Sequence, residues 1–339
     1  TVSLQDAREA GTRLRWVFQG QMREVQQAAV ARMLAEDTGV LCAPPGAGKT
    51  VMGCGLIARS RTSALVLVHR SVLVDQWRET AMRFLGLTRR EIGIWRGATR
   101  RLTRRLDIAM LPSLARAENP SAVMSGYGIV IVDECHHVPA ASFEAVLKLC
   151  ASRRVYGLTA TPKRKDRLEK LLFAQCGPIR HTLIEERADA SRVVKIRHTA
   201  VQFPGHAARG MPIHELWEFL LGDADRAAAI VEDIVSCLKL KRSPLVLADR
   251  KTYLDTLAHA MSGRATGCAS LRMDGQTGKR ARAELWRQMK RHYDDGTPFV
   301  LFATASLIGE GFDLPQLDTL VLSMPLSFRG RLVQYAGRL

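Results

Sequence analysis

Apolar residues along this chain fall into two alternating rhythms. Residues 39–42, 64–68, 107–110, 128–132 and 155–158 form short, nearly unbroken apolar runs of strand length. Strands covered on both faces of a sheet read this way. Between the runs the spacing changes. Val25, Ala28, Ala29, Met33 and Leu34 recur at helical intervals within residues 21–36, which predicts an amphipathic helix. Residues 51–59 have helix composition, and Ser71 opens a helix through Trp77 to Phe84. Strand and helix alternate over residues 12–178, so a mostly parallel sheet with helices on both faces is expected. Residues 179–225 break the rhythm with Pro204, Gly205, Gly210 and Pro212. They read as a linker or crossing strand pair with a small helix near 213–221. The alternation then resumes, with strands at 244–248, 270–273, 299–303 and 320–322 and helices at 225–240, 251–261 and 277–292. The expected fold class is therefore α/β, with two doubly wound parallel-sheet lobes, 1–178 and 226–339, joined by 179–225.

Composition narrows the function classes. At 339 residues the chain accommodates two ordinary domains. A charged fraction of 24% beside 47% hydrophobic residues excludes a disordered chain. The net charge of +17 suits a polyanion, because each neutralised phosphate releases condensed counterions. An anionic membrane surface or simple solubility would also use such charge; no basic amphipathic helix stands out, which favours nucleic acid. Seven arginines crowd into residues 89–105, Arg96 among them, and read as a phosphate-tracking surface. The seven cysteines are scattered without a C-x-x-C pair, which argues against a zinc ribbon or disulfide framework and for reduced thiols in the cytosol. No apolar stretch approaches the ~18 residues of a membrane span.

Two stretches carry chemistry. Ala43-Pro44-Pro45-Gly46-Ala47-Gly48-Lys49-Thr50 lies between a strand and a helix. A glycine-rich turn there lets backbone N–H groups converge on an anion at a helix N-terminus. Pro45, Gly46, Ala47 and Gly48 would line the phosphates, Lys49 would reach the β/γ-phosphates, and the Thr50 hydroxyl would ligate Mg²⁺. The usual G-x-x-x-x-G-K-[ST] pattern has glycine where Ala43 stands. The second stretch, Asp133-Glu134-Cys135-His136-His137, ends the apolar run 128–132. Asp133 would hold the Mg²⁺ shell and Glu134 would orient or deprotonate the attacking water. A Cys-His-His zinc site is the competing reading, but adjacent residues at one strand end cannot all face one ion. Thr159-Ala160-Thr161-Pro162 ends another strand, and taken alone is only a strand-to-turn signal. Arg23 and Gln26 share a helix face, the default for exposed polar residues.

Taken in order, Arg23-x-x-Gln26, APPGAGKT at 43–50, LVLVHR at 65–70, DECH at 133–136, TATP at 159–162, GEGFD at 309–313 and QYAGR at 334–338 resemble a superfamily 2 helicase or translocase. Within it the chain is similar to the type III restriction res subunit and related DNA-repair helicases. VHRSVLVDQW and LSMPLSFRGRLVQYAGRL resemble the helicase of TOTE-type bacterial conflict systems. The resemblance implies two RecA-like lobes with ATP and Mg²⁺ in the cleft between them and a nucleic-acid strand crossing both, in the cytosol or nucleoid. It implies that Arg23 and Gln26 lie near the adenine and that Gly311 and Asp313 touch the ribose side. Gln334 and Arg338 would reach the γ-phosphate. Thr159 and Thr161 would couple hydrolysis to movement, and Arg70 and Thr304 would grip the backbone. Two departures stand out. Met110-Leu111-Pro112 occupies a place where relatives often have nucleic-acid-contacting Thr and Gln, and the last motif, Q-x-x-G-R-x-x-R, stops at Leu339 before its second Arg. The function implied is an ATP-dependent helicase or translocase, on DNA rather than RNA, with an effector domain or subunit outside this sequence. A nucleotide-gated clamp that binds without unwinding, and an RNA helicase, are the alternatives.

Overall fold

The structure, a computed structural model, describes residues 6–137, 141–160, 169–183, 193–199, 201, 212–265, 267–305 and 316–325. The chain divides into two compact units, Thr1–Glu186 and Arg187–Leu339.

In the first unit, helix α1 (Glu24–Leu34) precedes β1 (Thr38–Cys42), α2 (Lys49–Ser60), β2 (Ala64–Val68) and α3 (Ser71–Leu85). A hairpin of β3 (Ile92–Arg96) and β4 (Thr99–Arg101) follows, then β5 (Leu106–Met110), short helices α4 (Leu111–Leu114) and α5 (Pro120–Met124), and β6 (Ile129–Asp133). The unit closes with α6 (Ala141–Leu147), β7 (Arg154–Thr159), α7 (Glu169–Cys176) and β8 (Ile179–Thr182). These eight strands form one sheet in the order β4-β3-β5-β2-β6-β7-β1-β8, parallel except for the β3–β4 hairpin. Side chains alternate across it. Ala64, Val66 and Val68 of β2 join the core under α1, α2 and α3, while Leu65 and Leu67 join the opposite core under α4 to α7. Burial on both faces is why β2 lacks a polar face.

Two features depart from the sequence reading. Within the arginine-rich stretch 89–105, β3 and β4 form a hairpin on the sheet edge, for which no strands were expected. Its apolar residues, Ile92 and Ile94, face the core with α3; the arginines lie before β3, at its end, on β4 and after it. The first sheet also runs past residue 178. Residues 179–182, expected in the linker or crossing strand pair, pair with β1 across a register shift between Val40 and Leu41.

The second unit has α8 (Ile213–Gly222), α9 (Ala224–Lys239), β9 (Pro244–Ala248), α10 (Lys251–Met261), β10 (Ala269–Met273), α11 (Lys279–Asp294), β11 (Phe299–Thr304) and β12 (Thr319–Leu322). Its strands are parallel in the order β10-β11-β9-β12. Helices α9 and α10 pack on one face through Val231, Ile234, Leu254 and Leu257, and α11 covers the other through Leu285, Trp286 and Met289. The Asp223 carboxylate caps α9 by accepting from Arg226 N at 2.7 Å. No helix among the described residues is long and apolar enough to cross a membrane.

Candidate nucleotide site

Three neighbouring strands of the first sheet, β6, β7 and β1, deliver their C-terminal ends side by side, with Cys42 opposite Thr159 and Asp133 opposite Leu158. That edge of an open α/β sheet is where loops can converge on a ligand. The loop after β1 is tied to its neighbour by Ala43 N donating to Thr159 O at 2.9 Å. Ala43 is 1% exposed and its methyl belongs to the core, so alanine in place of the usual glycine fits without opening the turn. Gly46 and Gly48 have φ of 78° and 83°, left-handed values that a side chain strains. At Gly48 a Cβ would also sit 2.6 Å from Gln26 Nε2. Gly48 caps α2 without any side-chain acceptor, and the first turn holds no acidic residue. The N–H groups of that turn have no intrahelical partner, so they can accept an anion.

Arg23 and Gln26 brace this loop. Gln26 Nε2 donates to Ala47 O at 2.8 Å and Arg23 Nη2 to the same carbonyl at 3.1 Å. Gln26 Oε1 in turn accepts from Arg23 N at 3.0 Å, closing the start of α1. The pair that spacing alone left ordinary thus grips the phosphate loop.

Lys49 Nζ donates to Ala43 O at 3.3 Å and lies 3.8 Å from Glu134 Oε1. Asp133 Oδ1 accepts from Glu134 N at 3.0 Å, and Oδ2 accepts from Trp77 Nε1 at 2.8 Å. Burial, followed by the adjacent Glu134 charge, pushes the Asp133 carboxyl above its ordinary value; the Trp77 N–H and Lys49 oppose this. Glu134 itself adopts φ 47°. His136 Nδ1 lies 3.0 Å from Thr159 Oγ1 and 3.4 Å from Glu134 Oε2, which ties Thr159 to the carboxylate pair. Cys135 is buried against Gly157 and its thiol is pushed well up by that burial, so it is packing. Among the described residues, two buried carboxylates lie by the Lys49 ammonium at a helix N-terminus without a side-chain cap. That donor set fits a phosphate anion accompanied by a hard divalent cation, which takes oxygen ligands, and Thr50 stands on the first turn of α2.

Trp77 and His136 were not legible as site residues. A tryptophan on a helix reads as core, and only the fold brings α3 over the end of β6. Arg96, expected on nucleic acid, donates to Ser71 O at 3.1 Å, Ser71 Oγ at 3.0 Å and Asp75 Oδ2 at 3.0 Å. A cation with a carboxylate and a carbonyl at these distances is engaged within its own unit and pins the first turn of α3. Arg101 and Arg104 are exposed and also donate to backbone carbonyls of the same unit. Arg70 precedes α3 and is exposed. Thr304 ends β11, is 9% exposed, and its hydroxyl has no hydrogen-bond partner among the described residues. Thr161, Gly311, Asp313, Gln334 and Arg338 lie outside the described residues.

A glycine-rich turn at a helix N-terminus, a strand-end carboxylate pair and parallel strands with helices on both faces define an α/β protein of RecA-like fold. Residues 19–164 match the family model of the type III restriction enzyme, res subunit. The DNA 3'-5' helicase XPB of Kineococcus radiotolerans is 34% identical over 166 residues, 47% of this chain and 29% of that protein. The probable helicase D10 of Escherichia phage T5 is 23% identical over 308 residues, 89% of this chain and 64% of the relative. The Pyrococcus furiosus Hef helicase domain superposes with a TM-score of 0.59 at 14% identity, over 93% of this chain and 92% of that chain. The sequence likeness to helicases covers about half of this chain in the XPB relative and most of it in D10, and the fold likeness covers nearly all of it. The chain spans 29% of the length of the XPB relative.

Proposed function

We propose that this chain is the motor of an ATP-dependent DNA helicase or translocase. The observation that carries the reading is the meeting of Lys49, Asp133, Glu134 and Thr159 at three adjacent strand ends, beside the uncapped N-terminus of α2. In this reading Lys49 and the N–H groups of α2 bind the β- and γ-phosphates. Thr50 and Asp133 hold Mg²⁺, whose chemistry is to neutralise charge developing on the phosphate oxygens. Glu134 orients the attacking water and accepts its proton. Arg23 and Gln26 keep the loop in its binding shape. Thr159, bonded to His136, links the carboxylates to the strand end beside the phosphate loop. Arg70 and Thr304 contact the nucleic-acid backbone. DNA is favoured over RNA by the DNA helicase named among the relatives.

The test is ATPase turnover with single-stranded DNA, duplex DNA and RNA. DNA is expected to stimulate the rate. Lys49→Ala should weaken ATP binding, and Glu134→Gln should lower turnover by about 10²-fold or more while ATP still binds. A rate indifferent to every nucleic acid would remove the motor reading.

A further inference from the structure

We infer that Trp77 is a positioning residue for the metal-binding carboxylate, with its indole N–H holding Asp133 in the orientation that receives Mg²⁺·nucleotide. This rests on the reading of the first unit as a Mg²⁺·nucleotide site. Trp77 is 1% exposed. Its ring lies against Gly53 of α2, where a Cβ would overlap it, so the phosphate-loop helix leaves room for an indole at this point. Filling that space needs only an aromatic ring, and phenylalanine would serve. What tryptophan adds is one donor, and a buried indole N–H requires an acceptor. Here the acceptor is Asp133 Oδ2, at 2.8 Å, rather than a backbone carbonyl. The other oxygen accepts from Glu134 N at 3.0 Å. A carboxylate offers about four lone-pair sites, so each oxygen is held by one donor and keeps a lone pair for a cation or its water. The hydrogen bond is charge-assisted, hence short and directional. Trp77 sits on α3, whose first turn Arg96 pins through Ser71 and Asp75. The same bond therefore ties the helix that begins after Arg70 to the metal carboxylate.

Two substitutions isolate the N–H. Trp77→Phe removes it with part of the ring; replacing Trp77 by 3-benzothienylalanine removes it while keeping the bicyclic shape. The measurement is binding of the fluorescent nucleotide mant-ADP in EDTA and across a Mg²⁺ titration. Both variants should bind metal-free mant-ADP within about twofold of wild type. Both should need about tenfold or more Mg²⁺ for half-maximal tightening, the usual size of an outer-shell loss. In 15N spectra the indole signal that disappears in Trp77→Phe should be the one that shifts when Mg²⁺ is added to the ADP-bound wild type. An unchanged Mg²⁺ requirement in the benzothienyl protein overturns the assignment. So does an equal loss of affinity with and without Mg²⁺, which would make Trp77 packing alone. If the wild type binds mant-ADP under neither condition, the nucleotide-site reading itself has failed, separately from the role of Trp77.

Discussion

Asp133 and Glu134 occupy consecutive positions in one buried strand end, 5% and 6% exposed, with Lys49 the ammonium beside them. In the protein without metal this arrangement opposes folding. Glu134 adds a left-handed backbone at φ 47°, a conformation that costs a non-glycine residue about 1 kcal/mol or more. The expectation for Asp133 is directional. Burial first, and then the Glu134 charge, raise its folded value above the ordinary carboxylate range. The folded chain therefore holds this proton to higher pH than the unfolded chain. Its contribution to stability is present at acid pH and lost as pH rises from the ordinary range toward neutrality. Asn at 133 cannot ionise. Asn also lacks the second acceptor oxygen that Trp77 or Glu134 N–H uses, so the trend is the test. In EDTA the urea midpoint of Asp133→Asn relative to wild type should rise from pH 5 to pH 8. A relative midpoint that does not change with pH would refute this. The two carboxylates are retained at the expense of stability, as expected where a site is built for a ligand charge.

At the scale of elements, α3 is the informative piece. Its amphipathic pattern was plain in the sequence, and so was its start after Arg70. Its fastening was not. Arg96 crosses from β3 to the first turn of α3 and meets Ser71 and Asp75, with Arg78 on the other Asp75 oxygen at 2.9 Å. Arginine clustering suggested a phosphate surface because composition cannot reveal which cations have a carboxylate within reach. Arg96→Ala should therefore behave as a structural change. It should cost about 1 kcal/mol of stability and leave the salt dependence of DNA binding as in wild type, both read from denaturation and binding titrations. A flattened salt dependence with stability intact would return Arg96 to the nucleic-acid surface. The phosphate loop shows the converse. Gly46, Gly48, Lys49 and Thr50 were recognisable because a loop that turns back on its own helix N-terminus is specified by neighbours in sequence. The bracing of Ala47 O by Gln26, 21 residues earlier, needed the packed fold.

For the whole molecule, charge sets the expected behaviour toward DNA. A chain at +17 should bind a polyanion without sequence preference, its affinity falling steeply with salt. Arg70→Ala should reduce the slope of log K against log salt by about one phosphate contact, with thermal stability unchanged. An unaltered slope would take Arg70 off the DNA. Other arginines make contacts within the protein: the exposed Arg104 reaches Ala122 O, Val123 O and Ser125 O, and the half-buried Arg226 holds Tyr253 OH and Ser323 O in the second unit.

What the sequence by itself determined is local: which runs are doubly covered strands, which segments are helices, where the phosphate loop turns, and which carboxylates end a strand. Those follow from periodicity and from the backbone freedom of particular residues, which act over a few positions. The tertiary structure alone decided adjacency. The order β6-β7-β1 puts Thr159 between the loop and the carboxylates, β8 extends the sheet past its expected end, and Arg96 reaches from the hairpin to α3. The Trp77 indole reaches an aspartate 56 residues away. Contacts between segments distant in the chain depend on which strands pair and which helix covers them, and no local pattern encodes that choice.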